Sequence, residues 1–286
     1  MKVRLKQIPP EGIHPEGKEK GAGAVFSRPR QTSSTKQRTR FLEMTDTAPH
    51  PTIDPAATLG QLVSARPGAA AVFDRLGFDF CCHGDQSLAE ACAGAGVALD
   101  EAIAAITASA AAGADDNWTG LSAGPLSEHI QVVHHRYLDE ELPALVALAA
   151  KVVNVHAGRH PELIRVKDLV EDLQTDLVPH LAKEDRVLFP AIRALEAGPA
   201  RFGFGSIDNP IRVMTTEHET VGDLLRRLRA ATEGYLVPSD GCASYRLLYQ
   251  RLEALEADTH LHVFKENSVL FPLAQKLEAS SPGAGA

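Results

Sequence analysis

From Thr58 onward, apolar residues recur every three or four positions, and Val, Ile and Thr never alternate over a strand-length run. That periodicity predicts an all-α fold. Two stretches are clearest. Val166, Leu169, Val170, Leu173, Leu177, Leu181, Leu188, Ile192 and Leu195 fall on one face of a helix over about 161–195. Leu248, Leu252, Leu255, Val269, Leu273 and Leu277 do the same over about 240–279. Two further long helices are predicted over about 127–155, with a bend at Pro143, and over about 210–233 behind an Asn209 cap. Four amphipathic helices in sequence predict a four-helix bundle over 126–279.

The stretch 52–111 reads differently. Pro67 suits the first turn of a helix that runs to Leu76 and stops at Gly77, Ser87 suits an N-cap for a helix through Cys92, and Leu99–Ile106 makes another. Several short helices in some sixty residues predict a small helical domain. Residues 112–125, with Gly113, Asp115, Asp116, Asn117 and Gly124, read as a flexible linker that lets the small domain dock on the bundle and leave it. Residues 280–286 read as a disordered tail.

Composition changes the picture mainly at the N-terminus. Residues 1–51 are rich in Pro, Gly, Ser, Lys and Arg and show no apolar period, which predicts a disordered extension, with Met44 as a candidate true start. They have no apolar core of the secretory-signal type. Residues 1–50 carry ten Lys/Arg against five Asp/Glu, so the net charge of −8 conceals a net of −13 over 51–286. Such an acidic body argues against a nucleic-acid partner. Its apolar runs fall far short of the ~20 residues a membrane span needs. Four cysteines in 286 residues are too few for a disulfide scaffold and fit a reduced, cytoplasmic setting.

Polar residues interrupt the apolar stripes at matching places. His180 and Glu184 continue one stripe and His262 and Glu266 the other, each pair one helical turn apart. His180-x3-Glu184-x3-Leu188-Phe189-Pro190 recurs as His262-x3-Glu266-x3-Leu270-Phe271-Pro272. The helix before each copy also repeats. His135 is followed by Leu138, Leu142 and Leu145, and His218 by Val221, Leu225 and Leu228. His135 precedes His180 by 45 residues and His218 precedes His262 by 44. The bundle is therefore read as two copies of one helical hairpin.

Burying a carboxylate and imidazoles costs several kcal/mol unless they are paired or bind a metal. Four imidazoles and two carboxylates form the donor set of a dinuclear iron or manganese centre in a bundle, with room left for an oxo or hydroxo bridge and small molecules. Zinc fits less well, because a structural zinc takes four ligands. Of the twelve histidines, His134 and His260 lie within two residues of chosen ligands, and the repeat rather than helical period excludes them.

With Phe80-Cys81-Cys82-His83-Gly84, the two Leu-Phe-Pro repeats and Glu217-His218-Glu219 in view, the chain from about Ile53 to Leu277 resembles the RIC (repair of iron centres) proteins. Its bundle resembles the haemerythrin-like domains. The resemblance implies a cytoplasmic protein with a non-haem di-iron site, active in repairing iron–sulfur clusters damaged by nitric oxide or peroxide. Residue by residue, the ligand positions it implies are His135, His180, Glu184, His218, His262 and Glu266, the same six. Oxygen-carrying haemerythrins have His-x3-His on the third helix. Here Gly222 stands four residues after His218, which disfavours a reversible oxygen carrier. Glu217 is either an outer support for a ligand imidazole or a solvated helix charge.

Cys81 and Cys82 have two readings: redox-active thiols that bind nitric oxide or iron ahead of a helix N-terminus, or small groups packing a tight turn. Cys92 and Cys242 are read as incidental. The expected function is a repair factor more than a turnover enzyme, acting by iron donation or nitric oxide removal with Cys81 and Cys82 in the transfer. The alternative is a sensor or store of oxygen, nitric oxide or iron without repair activity. An oxidoreductase would need an electron donor that the sequence does not identify. Damaged iron–sulfur proteins, nitric oxide or oxygen, and a second copy in a homodimer are the expected partners.

Overall fold

The computed structural model describes residues 53–109 and 118–280. The predicted extension over 1–51, the first part of the predicted linker and all but the first residue of the predicted tail lie outside the described residues. Those described are all-α, with only two isolated β-bridges, and belong to one compact unit.

The small N-terminal part contains α1 (Leu59–Ala65), α2 (Ala69–Leu76), α3 (Leu88–Ala95) and α4 (Leu99–Ser109). Thr58 and Ser87 each close a capping box, with Gln61 and Glu90 reaching back to the cap backbone. Pro67 lies just ahead of α2 rather than in its first turn, and Gly77 ends the helix at a φ of 72°. The chain then turns through Phe78–Gln86 before Ser87 restarts it.

The bundle has four rods. The first joins α5 (Ala123–Ile130) to α6 (Arg136–His156) through a wide π turn, Gln131–His135. The second joins α7 (Glu162–Lys183) to α8 (Phe189–Ala197) through Glu184–Leu188. The third is α9 (Asp208–Ala231), and the fourth joins α10 (Ala243–Lys265) to α11 (Phe271–Ser280) through Glu266–Leu270. The predicted rods are present, with three departures. The irregularity of the first rod lies at 131–135, and α6 continues as one helix through Pro143. Asn209 is not the cap of α9: the helix begins at Asp208, and Glu278 of α11 accepts from the Ile207 N–H and the Ser206 hydroxyl instead. In the fourth rod the buried positions from the end of the π turn onward are Leu270, Phe271 and Ala274, whereas the predicted Val269, Leu273 and Leu277 are only partly buried. A π turn contains one extra residue, so the apolar stripe moves by one position.

The boundary between the two parts also differs from the predicted one. The bundle begins at Ala123, inside the predicted linker, and Trp118 is buried edge-on against Phe264 of α10. Phe80 packs against Phe73 on its own side, where Phe73 also meets Phe78, and against Phe264 across the boundary. His260 of α10 meets Asp74 of α2 at 2.7 Å. One apolar core therefore runs from α1 through the upper bundle, and a second fills the lower bundle below the polar level. In this structure the small part packs on the bundle through these contacts, which is the docked arrangement of the two that the sequence allows.

Candidate metal centre

Every predicted ligand lies at one level of the bundle. His135 closes the first π turn, Glu184 and Glu266 open the other two, His180 and His262 stand in the last turns of α7 and α10, and His218 lies midway along α9. Pro190 and Pro272 help to fix this level. Each lacks an N–H, and its ring would press on the carbonyl four residues earlier, so a regular helix cannot continue undisturbed. The turns at 184–188 and 266–270 end two residues before these prolines. Tyr137 occupies the matching place after the first π turn, so proline is sufficient but not required.

All six side chains are buried, none more than 2% exposed. They form two groups, His135/Glu184/His262/Glu266 and His180/Glu184/His218/Glu266, within each of which the donor atoms all lie within 4.8 Å of one another. Both groups contain both carboxylates, and each takes one histidine from each hairpin. Nε2 of His135 lies 3.1 Å from Nε2 of His262, and Nε2 of His218 lies 3.1 Å from Nε2 of His180. Glu266 lies 3.1 Å from His262 and 3.0 Å from His218; Glu184 lies 3.5 Å from His135 and 3.4 Å from His180. Nitrogens and oxygens held about 2.0–2.2 Å from one ion are spaced at about 3 Å, so the donors are already at ligand spacing.

The charges point the same way. Burial and the neighbouring Glu266 push Glu184 well above the usual carboxylate range. Burial also opposes ionisation of Glu266, but His262, His135 and His218 outweigh it and hold Glu266 well below that range. Two carboxylates this deep cannot both ionise without cations. Neither oxygen of Glu184 receives a hydrogen bond. A buried carboxylate left without donors fits a site made for a cation. Burial lowers His180 to about 4, with His218 adding to the effect, and lowers His262 to about 3. His135 is the exception: burial opposes its charge, yet Asp185 and Glu266 raise it to about 9.

The outer nitrogens explain how the rings are aimed. Nδ1 of His135 donates to Asp185 at 2.7 Å, Nδ1 of His180 to Glu217 at 2.8 Å, and Nδ1 of His218 to the side-chain carbonyl of Asn267 at 2.9 Å. Fixing the proton on Nδ1 leaves the Nε2 lone pair facing the centre. Glu217 is thus a support for His180, anchored in turn by Lys183. Sequence reasoning missed Asp185 and Asn267. The signal was present, since each directly follows the glutamate of a His-x3-Glu repeat. Phe189 and Phe271 stack on His135 and His218 at centroid distances of 5.3 and 6.0 Å, which gives the phenylalanine of each Leu-Phe-Pro its task.

The excluded histidines point elsewhere. His134 meets Asp258 at 2.8 Å and the buried Lys265 at 2.8 Å, and its ring stacks on the back of His262 at 5.4 Å. His260 faces Asp74. Cys92 is buried in the core, and Cys242 is exposed at the start of α10, its sulfur 3.1 Å from His156.

Cys81 and Cys82 lie beside the centre without joining either group of four. Asn267 bridges them to it: its side-chain carbonyl accepts from His218 while its amide donates to the Cys81 carbonyl at 3.1 Å. The Cys82 sulfur is 3.9 Å from the His218 carbonyl, and a Cβ added at Gly222 would meet that sulfur at 3.6 Å. The place four residues after His218 is therefore covered by a thiol. Gly84 is needed for close approach, since a Cβ there would come within 2.8 Å of the Phe80 carbonyl. The paired thiols shift each other: Cys81 lowers Cys82, while Cys82 and burial raise Cys81 well above the ordinary thiol value. The neighbouring thiol is the main cause.

A helical bundle whose core brings two pairs of histidines onto two shared glutamates defines a cation-binding protein of the haemerythrin type. Comparison with known families agrees: the Hemerythrin HHE cation binding domain matches residues 127–274, and a domain of unknown function (DUF542, ScdA_N) matches residues 55–110. The chain is 33% identical over 217 residues to the iron-sulfur cluster repair protein YtfE of Enterobacter sp. (strain 638), covering 76% of this chain and 95% of that protein. It is 34% identical over 214 residues to the iron-sulfur cluster repair protein ScdA of Staphylococcus haemolyticus, covering 74% and 95%. A probable iron-sulfur cluster repair protein of Haemophilus influenzae is 33% identical over 217 residues, covering 75% and 94%. The chain belongs to this haemerythrin-containing family of iron–sulfur cluster repair proteins. Among the described residues, no single helix is long and apolar enough to cross a membrane.

Proposed function

We propose that this chain repairs iron–sulfur clusters damaged by nitrosative or oxidative stress, in the cytoplasm, with two iron ions in the bundle core. The observation that carries the reading is the pair of four-residue groups sharing both Glu184 and Glu266. One ion would take His135 and His262, the other His180 and His218, with the two carboxylates between them. Iron bound there supplies a store that can be surrendered to a client cluster and that has affinity for nitric oxide or oxygen. Imidazole and carboxylate ligands suit surrender better than a closed thiolate cage would.

The protein's own residues prepare the site. Asp185, Glu217 and Asn267 hold three imidazoles in the ligating tautomer. Leu138, Leu177, Leu181 and Leu188, each within about one helical turn of a candidate ligand along the chain, are buried as well. Cys81 and Cys82 stand between the centre and the surface, where they would pass iron or nitric oxide onward. Damaged iron–sulfur proteins are the proposed partners.

The test is reactivation of a nitric-oxide-damaged iron–sulfur enzyme by anaerobically prepared protein, with iron per chain measured in parallel. Wild type should carry two irons in the bundle core and reactivate the enzyme. Glu184→Ala should do neither, and Cys81→Ser with Cys82→Ser should keep the iron but lose reactivation. Iron binding with no reactivation by wild type would make the protein a sensor or store instead. One zinc at full occupancy with no second metal would overturn the dinuclear reading.

A further inference from the structure

We propose that Asp79, Cys81 and Cys82 form a third metal site, separate from the bundle centre, for a thiophilic divalent ion such as ferrous iron or zinc. Their donor atoms all lie within 4.8 Å of one another. The spacing is more specific than that. The two sulfurs are 3.7 Å apart and Oδ1 of Asp79 is 3.3 Å from the Cys81 sulfur. Two sulfurs bonded at about 2.3 Å to one tetrahedral ion are about 3.8 Å apart, and a sulfur and a carboxylate oxygen are about 3.5 Å apart. Two of the three edges therefore already have tetrahedral length, and the third, from the Asp79 carboxylate to the Cys82 sulfur, is no longer than 4.8 Å.

The surroundings hold that arrangement in place. Oδ2 of Asp79 accepts from Nδ1 of His83 at 2.9 Å, and Oδ1 accepts from the Cys82 N–H at 3.0 Å, which turns the carboxylate toward the thiols. Asn267 fixes the Cys81 carbonyl. Both thiols, though not Asp79, line a surface cavity of about 790 Å³, with Asp85, Asn267 and Ser268 among its other walls. An ion held by the two thiolates would thus be reachable from that cavity by an incoming ligand.

Binding is a ligand exchange. The two thiols lose protons, both sulfurs and one carboxylate oxygen bond the ion in place of water, and no electron moves. A thiolate of a client protein entering from the cavity can then take the ion by the same exchange. That handover rests on the iron-donation reading above; the existence of the site does not.

The test is anaerobic titration of the full-length metal-free protein with cobalt(II). Thiolate ligands add an intense sulfur-to-cobalt charge-transfer band in the near ultraviolet, which histidine and carboxylate ligands do not. Wild type should take up cobalt beyond the bundle centre and develop this band, and Cys242→Ser should retain it. Cys82→Ser should abolish it. Asp79→Asn, which keeps a hydrogen-bond acceptor but not the charge, should weaken the cobalt affinity of the band, because a neutral amide oxygen is a poorer ligand than a carboxylate. Glu184→Ala, which removes the bundle centre, should leave the band unchanged and so separates this site from the proposed store. No band in wild type overturns the proposal, as does a band that vanishes with Cys242 or survives Asp79→Asn at full affinity.

Discussion

The two hairpins carry the same candidate ligands in the same order, yet their outer hydrogen bonds end on different chemistry. In the first, the residue after the glutamate is Asp185, a carboxylate that holds His135. In the second it is Asn267, an amide that holds His218 and still has a donor to spend on the Cys81 carbonyl. A carboxylate could do the first task but not the second, because it only accepts. The residue before each first-helix histidine differs as well. Glu217 bonds His180, whereas His134 stacks on His262 and leaves Nδ1 of His262 without a partner. The duplicated candidate ligands would suit a symmetric pair of ions. The asymmetry lies outside them, and the second hairpin is the one joined to the cysteines.

The symmetric part should dominate metal binding. Glu184→Ala or Glu266→Ala should each cost both ions, because each carboxylate belongs to both groups of four. His262→Ala or His180→Ala removes a ligand from one group only, so part of the metal should remain. Metal per chain after dialysis checks this, and loss of a single ion from either glutamate variant would disprove shared carboxylates. His260→Ala should lose none, since its ring faces Asp74.

Removing the outer residues should separate the hairpins. Asp185→Ala and Asn267→Ala should each weaken metal affinity by about 10–100-fold, the usual effect of losing an outer hydrogen bond to a ligand. Only Asn267→Ala should also loosen the cysteine turn, read as faster alkylation of Cys82. Equal alkylation rates in the two variants would mean that Asn267 does not anchor that turn.

How much of this was legible in the sequence follows from what repeats. The six candidate ligands, the four rods and the capping at Ser87 announce themselves through spacing, because helical period and an internal duplication both act on residues close in the chain. The π turns do not. They arise from local competition between proline, packing and ligand geometry, and they move the buried face from Val269 and Leu273 to Leu270 and Ala274. The packing of Phe80 against Phe264 was hidden for another reason: it joins residues far apart in sequence that no motif links. Asp185 and Asn267 were overlooked although the repeat marks them, since a polar residue beside a buried ligand resembles an ordinary exposed helix position.

The difference in charge between the hairpins predicts a pH effect in the metal-free chain. Asp185 helps to raise His135 from 6.5 to about 9, against burial. A histidine whose folded value is raised adds stability in full below its unfolded value, and that stability is lost as pH climbs from 6.5 to about 9. The slope from this one group is about 1.4 kcal/mol per pH unit. Asp185→Asn removes the charge but keeps an acceptor, so the variant should lose less stability over the same window. Denaturant midpoints at the two ends of the window test it, and identical slopes would mean that Asp185 does not sustain the His135 charge.

The smallest expected effect comes from making the second hairpin copy the first. Asn267→Asp retains an acceptor for Nδ1 of His218, so both ions should stay bound. It removes the donor to the Cys81 carbonyl and sets a carboxylate oxygen against it at the 3.1 Å of the present hydrogen bond. Losing one such bond costs on the order of 1 kcal/mol. The unfolding transition should therefore move only slightly while the turn around Cys81 and Cys82 becomes easier to open, which alkylation of Cys82 in the metal-loaded protein would detect. Unchanged alkylation would show that packing alone, through Phe80 on Phe264 and Gly84 on the Phe80 carbonyl, seats the turn, and that the amide at 267 is there for His218 alone.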